Sequence, residues 1–261
     1  MIRSLYTGTT GMNAQQLNID VIANNLANVS TTGFKKSTTD FQDLLYETIK
    51  VPGSQTSTDT QSPTGILVGM GVRPGAVTKV FTQGELIQTE NTLDVAIEGT
   101  GFFQISMPDG TTTYTRAGAF KLDSSGRICN SNGYPLLPAI TIPDGATQIM
   151  ISETGIVSAI LAGDSASTEI GTIELATFIN SAGLSSLGNN LFAETSASGT
   201  PATGTPGDNG YGKLSQTFLE GSNVNIVQEM ANMITAQRAY EINSKTITTS
   251  DEMMQTTNAL V

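Results

Sequence analysis

Both ends of this chain carry a seven-residue apolar repeat, and the two repeats bracket everything else the sequence can form. From Ser4 to Val29 there is no proline, and Leu5, Met12, Ile19 and Leu26 recur at a strict seven-residue interval, with Ile22 and Val29 joining the stripe. That spacing predicts a helix with one apolar seam. Thr31-Thr32-Gly33 is expected to end it, because β-branched residues weaken helix and glycine suits a left-handed cap. After Gly221, Asn225 stands as an N-cap with Gln228 three residues on, and Ile226, Met233, Tyr240, Ile247, Met254 and Val261 again repeat every seven residues. About 35 residues of helix would span roughly 50 Å. An amphipathic helix gains most of its stability from burying its face against a partner, so the economical structure pairs the two ends as a coiled coil that orders on assembly.

The remaining faces of both helices are rich in amides, hydroxyls and alanine rather than in Lys and Glu. Asn13, Gln15, Gln16, Asn18, Asn24, Asn25 and Asn28 mark the first, and Asn232, Thr235, Gln237, Asn243, Ser244, Thr248, Thr249, Gln255 and Asn258 the second. Uncharged polar groups are buried readily when each finds a hydrogen-bond partner, which fits helices packed on several sides with polar contacts between chains. A two-helix coiled coil with a polar outer face is the simpler alternative.

Between the ends the period changes from seven to two. Leu93, Val95 and Ile97 alternate with Asp94, Ala96 and Glu98, and Ile173, Leu175, Thr177 and Ile179 alternate with their neighbours. Pro108-Asp109-Gly110, Asp123-Ser124-Ser125-Gly126, Asn132-Gly133 and Pro143-Asp144-Gly145 read as turns. No long helical pattern separates these strands, so the sequence predicts an α+β fold with a central antiparallel β domain, barrel or sandwich. The domain plan is a helical part over 1–36, an extended connecting segment over 37–79 and a β-rich domain over 80–194. A flexible return linker over 195–224 and a second helical part over 225–261 complete it. Pro52 to Gly65 and Thr195 to Gly212 are low in complexity, with too little apolar surface to offset ordering entropy.

Charge follows the same division. The net charge is −11 with a pI near 4.3. Arg3, Lys35 and Lys36 stand against Asp20 at one end, and Arg238 and Lys245 against Glu229, Glu241, Asp251 and Glu252 at the other. The ends therefore sum to zero, and residues 37–224 hold the whole excess. Such a balance repels nucleic acid and anionic membrane surfaces, so neither is expected as a partner. Histidine is absent and Cys129 is the single cysteine, which removes the usual residues for zinc sites and for Ser-His or Cys-His catalysis. No catalytic residue, cofactor or metal is expected. No run reaches the roughly 18 apolar residues of a spanning helix, so no membrane insertion is expected. Residues 1–6 lack the pattern of a cleaved signal peptide, so any export is expected without one.

Three local patterns carry a chemical reading beside a structural one. Asp94 and Glu98 lie four apart, as a hydrolytic carboxylate pair does, but a solvated sheet face explains them as well. Gly69-Met70-Gly71 with Gly75 lacks the setting of a dinucleotide loop. Asn28-Val29-Ser30 is a glycosylation sequon at a helix end.

Specific strings then go further than pattern. Residues 18–36, NIDVIANNLANVSTTGFKK, resemble the N-terminal signature of flagellar rod and hook axial proteins, centred on Ala23-Asn24-Asn25-Leu26-Ala27-Asn28 and Thr32-Gly33-Phe34-Lys35. Residues 220–258, beginning EGSNVNIVQEMANMITAQRAYEINSK, resemble the matching C-terminal signature. Asp40 to Tyr46, Gly69 to Arg73, Phe81 to Gly84, Leu93 to Gly99 and Tyr114 to Arg116 look like the distal-rod branch of that family. Ser30 departs from the asparagine that the family often has.

The resemblance implies a structural subunit of the distal rod, exported through the flagellar type III apparatus and added helically to a hollow drive shaft that crosses the periplasm. Its implied partners are further copies of itself, proximal rod subunits, hook subunits and the surrounding P and L ring proteins. The candidate subunit-interface residues are Leu5, Met12, Ile19, Ile22, Leu26, Val29, Ile226, Met233, Tyr240, Ile247, Met254 and Val261. A proximal rod or hook subunit of the same family is the alternative, and a secreted β-rich adhesin with helical oligomerisation ends is a further one.

Overall fold

The computed structural model describes residues 2–53, 55–57, 60–61, 63–162 and 166–259. The fold is α+β, with helix α1 over Ile2–Ala27, helix α2 over Ile226–Ala259 and antiparallel strands between them. The chain forms two compact units. The first is built from 1–27, 37–78 and 225–261, and the second from 28–36 and 79–224. Among the described residues no helix is long and apolar enough to cross a membrane.

Each helix end has a local cause. At the start of α2, the Gln228 N–H donates to Asn225 Oδ1 at 3.1 Å and the Glu229 N–H to the Asn225 carbonyl at 3.0 Å, which is the N-cap expected of that asparagine. Helix α1 ends two residues earlier than its apolar repeat implies. Asn28 opens a turn, accepting the Thr31 N–H on its carbonyl and the Thr31 hydroxyl on its side chain, so Val29 lies off the helix. Gly33 is left-handed at φ +69°, but its role is close approach rather than capping, since a Cβ there would stand 2.6 Å from the Ala117 nitrogen.

In the first unit, the segment between the helices is extended and paired. Ser37–Asp43 pairs with Val72–Lys79, and Tyr46–Lys50 runs antiparallel to Ile66–Gly69. Within 52–65, short backbone pairing joins Gln55–Ser57 to Thr60–Gln61, and residues 54, 58, 59 and 62 of that stretch lie outside the described residues.

The second unit is organised around the strand Phe102–Ser106 in a seven-stranded sheet. Thr112–Thr115 pairs along one edge. Ala176 and Leu175 face Phe102 and Phe103 on the other, followed by Leu137 and Leu136 facing Gln104 and Ile105. Successive side chains point to opposite faces, so Phe103 and Ile105 enter the main core with Val95, Ile97, Phe120, Val157 and Leu175. Phe102 enters a second cluster with Tyr114, Ala176, Leu184 and Phe192, and Phe81 and Phe178 pack against it. Its rings meet edge to face, as Tyr114 and Phe178 do at 4.8 Å. A strand covered on both faces needs an apolar run rather than alternation, which is why Phe102-Phe103 reads as it does.

Double coverage also corrects the reading of 93–98. Val95–Glu98 pairs with Lys213–Gln216, and Ala96 and Asp94 are buried along with Val95 and Ile97. Ile179 is 98% exposed, because the strand Leu175–Thr177 ends before it, while Phe178 packs with Ala176 in the second cluster. The four turns fall where glycine and Asx chemistry put them, each closed by a backbone bond such as Gly126 N–H to the Asp123 carbonyl at 2.9 Å.

Residues 195–224, read as a linker, carry three paired strands: Ala202–Gly204, Lys213–Gln216 and Phe218–Glu220. Their glycines make tight turns, with Gly199, Gly207 and Gly210 all at positive φ. Leu214 supplies a core side chain.

Candidate subunit interface

The two helices lie antiparallel in one chain, and their contacts keep a constant register. Ser4 Oγ is 3.2 Å from Ser250 Oγ, and a Cβ on Gly8 would lie 3.0 Å from Ile247 Cγ1. A Cβ on Gly11 would lie 2.8 Å from Asn243 Nδ2, and Asn25 Nδ2 donates to Glu229 Oε2 at 3.4 Å. The residues buried along α1 are Gly8, Ala14, Ile22 and Asn25, and those along α2 are Glu229, Ala236 and Ser250. The seam is therefore made largely of small and polar side chains, and small residues let helix backbones approach closely.

The large apolar residues of the repeat flank this seam. Of the candidate interface residues, Ile22 is buried, whereas Leu5, Met12, Ile19, Leu26 and Val29 are half-buried. Met233, Ile247 and Met254 are half-buried on the face of α2 toward α1. Ile226 and Tyr240 are exposed, and Val261 lies outside the described residues.

Asn25, which is buried, and Asn18, which is half-buried, find partners inside the chain. Asn25 Nδ2 donates to the Ser37 carbonyl and Asn25 Oδ1 accepts the Ser37 N–H, both at 2.8 Å, so one side chain reproduces a strand-like pair of bonds. Asn18 Oδ1 accepts the Thr39 hydroxyl at 2.8 Å. These contacts line a groove of about 380 Å³ bounded by Asn18, Ile22, Thr38, Glu229, Thr235 and Ala236. Glu229 sits in the first turn of α2, where the positive end of the helix dipole favours an acid.

Hydrophobic periodicity alone missed a second face. Val227, Met230, Ile234, Ile242 and Met253 of α2 are exposed, at 78% for Val227 and 59% for Ile234. At 3.6 residues per turn Val227, Met230 and Ile234 fall on the side opposite Glu229, Ala236, Asn243 and Ser250, whereas Ile242 and Met253 flank the seam and line a groove with Ser4 and Ser250. Further exposed apolar side chains lie on the ribbon of Tyr46–Lys50 and Ile66–Gly69, with Tyr46, Ile49, Ile66 and Leu67, and beside it at Leu45. These exposed apolar side chains form the candidate contact surface. The signal was available in sequence as a second stripe, but the strict heptad of larger residues outweighed it.

In the second unit, the two terminal signatures meet at a buried ion cluster. Lys35 Nζ donates to Glu220 Oε1 at 2.6 Å and to the Thr82 carbonyl at 2.7 Å. Arg116 Nη1 lies 3.4 Å from Glu220 Oε2, and its Nη2 donates to the Gly99 carbonyl at 2.7 Å. Burial pushes Lys35 and Arg116 below their ordinary values, and bonding to Glu220 opposes the shift. Around the cluster, the Gly33 N–H donates to the Glu220 carbonyl at 2.7 Å and the Lys36 N–H to Asn223 Oδ1 at 2.8 Å.

The carboxylates weighed as a hydrolytic pair have separate fates. Asp94 is buried and accepts from Asn91 Nδ2 at 2.9 Å, while Glu98 is exposed at a strand end opposite Lys213.

Comparison with known proteins bears on the whole chain. Residues 5–35 match the family described as flagella basal body rod protein, residues 96–159 the flagellar hook protein FlgE/F/G D1 domain, and residues 215–260 the flagellar basal body rod FlgEFG protein C-terminal family. The flagellar basal-body rod protein FlgG of Borreliella burgdorferi is 50% identical over 262 residues, covering 100% of this chain and 99% of that protein. The protein of the same name from Buchnera aphidicola subsp. Schizaphis graminum is 50% identical over 255 residues, covering 98% of each. The flagellar hook-basal body complex protein FlhP of Bacillus subtilis is 30% identical over 274 residues, covering all of both.

Proposed function

The chain belongs to the flagellar basal-body rod protein family, and from that premise we propose how it works as a structural subunit of the distal rod. Copies join through heterologous contacts that do not close on themselves, and such contacts extend into a helical polymer. The observation that carries this reading is the apolar stripe of α2 on the side away from α1, with Val227, Met230 and Ile234 open to water in the single chain. Neighbouring helices cover that stripe and complete the burial of Leu5, Met12, Ile19, Leu26, Met233 and Met254, so that the terminal helices become coiled-coil elements of an inner tube. The ribbons bearing Leu45, Ile49 and Leu67 supply lateral contacts between copies.

The charge division supports the same arrangement. Helix α1 balances Arg3 against Asp20 and α2 carries a net charge of only −2, so most of the −11 lies outside the helices and little repulsion opposes their packing. Proximal rod subunits at one end, hook subunits at the other and ring proteins around the outside complete the set of partners. The shaft transmits torque to the hook and needs no cofactor.

The test is assembly as a function of concentration. Purified chain is expected to form rods visible by electron microscopy, and Ile234→Asp to remain a single subunit with an unchanged far-UV circular dichroism spectrum. A carboxylate buried without a partner costs roughly several kcal/mol per contact, enough to abolish association. Assembly of Ile234→Asp at the concentration that serves the unaltered chain would remove the stripe from the interface.

A further inference from the structure

Two cations are buried in the second unit around a single carboxylate. Among the described residues Glu220 is the one acid acting on either Lys35 or Arg116. Its Oε1 accepts from Lys35 Nζ and from the Gly84 N–H at 3.0 Å, and its Oε2 faces Arg116 Nη1. Arg116 Nε has no hydrogen-bond partner among the described residues. The cluster is thus short of acceptors even when complete, and without Glu220 it would hold two uncompensated cations. Each lone buried ion carries a large desolvation penalty.

The three members come from distant parts of the chain. Lys35 and Glu220 are 185 residues apart, and Arg116 lies between them. Lys35 is flanked by bonds that also wait for the C-terminal partner: Gly33 N–H to the Glu220 carbonyl, Lys36 N–H to Asn223 Oδ1 and Asn223 N–H to the Phe34 carbonyl. Phe218–Glu220, the strand that delivers the carboxylate, is the last strand in the sequence.

We propose that Glu220 is a closing lock: segment 28–36 and Arg116 do not pack stably into the second unit until the strand carrying this carboxylate arrives. A chain made from its N-terminus keeps that unit open until residue 220 of 261 has been added. Closure then fixes, in one step, the two segments that continue covalently into α1 and α2. The lock holds the β unit back from early folding, whichever way copies later associate.

Pulsed hydrogen exchange during refolding of the full chain, read by mass spectrometry, tests the order of events. Segments 28–36 and 218–224 are expected to become protected together, and protection of 28–36 ahead of 218–224 would overturn the lock. Charge is separated from packing by two full-length variants. Glu220→Gln keeps the strand and the shape, and exchange over 28–36 is expected to quicken by roughly a hundredfold. The triple variant K35M/R116M/E220M removes the ions altogether and is expected to restore most of the protection. Native-like exchange in Glu220→Gln, or exchange in the triple variant as fast as in Glu220→Gln, would show that counter-charge is not what closes the unit.

Discussion

The Lys35 ammonium lies 2.6 Å from Glu220 Oε1, with neither side chain exposed to water. Arg116 shares the same carboxylate, so the cluster carries one more positive than negative charge. The members are therefore unequal. Glu220→Gln leaves two cations unpaired and is expected to cost about 3–5 kcal/mol, the usual effect of breaking a buried pair. Lys35→Met leaves Glu220 matched by Arg116 and is expected to cost only about 1–2 kcal/mol. Urea denaturation of the second unit, followed by near-UV circular dichroism, ranks the two, and a reversed order would contradict the charge count.

Lys35 also gives a pH dependence of defined sign. Burial holds its folded pKa below the ordinary 10.5, so between the two values the unfolded chain binds more protons. Stability contributed at this position rises with pH in that alkaline window. Denaturation midpoints of the unaltered chain and of Lys35→Met, measured in parallel, are expected to draw apart in favour of the unaltered chain as pH approaches 10.5. A difference that is flat or shrinks over this range contradicts the assignment.

The glycine seam predicts which helix positions tolerate bulk. A Cβ at Gly8 would stand 3.0 Å from Ile247 Cγ1 and one at Gly11 2.8 Å from Asn243 Nδ2, so neither position has room for a larger side chain. Leucine in place of Gly8 gains helix propensity of up to about 1 kcal/mol, but overpacking costs about 1–3 kcal/mol. Faster hydrogen exchange along both α1 and α2 in Gly8→Leu is the expected result. Thr9, exposed one position on, takes the same substitution without that effect.

Asn225→Ala removes the side-chain acceptor of the Gln228 N–H and is expected to destabilise α2 by about 1 kcal/mol. The measurement is amide exchange over the first turn of α2, which should quicken while Leu214 and the core strands are unchanged.

Sequence showed those features whose cause is local. Asn225 caps with its own neighbour, and the glycine turns at 110, 126, 133 and 145 close within a few residues. The helix seam was only half legible, because Gly8, Gly11, Ala14 and Asn25 carry no hydropathy signal and the eye follows Leu5, Met12, Ile19 and Leu26 instead. Strand alternation misled at Ala96 and Ile179, where coverage on both faces and an early strand end override the pattern. Pairing of Lys35 with Glu220 across 185 residues leaves no periodicity at all, although both lie in the recognised signature strings.

Electron cryo-microscopy of the assembled polymer tests the central claim, that copies associate through the terminal helices. The account predicts Val227, Met230 and Ile234 of each subunit packed against helices of its neighbours in an inner tube. A map in which that stripe faces open solvent, with subunits joined only through residues 79–224, would contradict it.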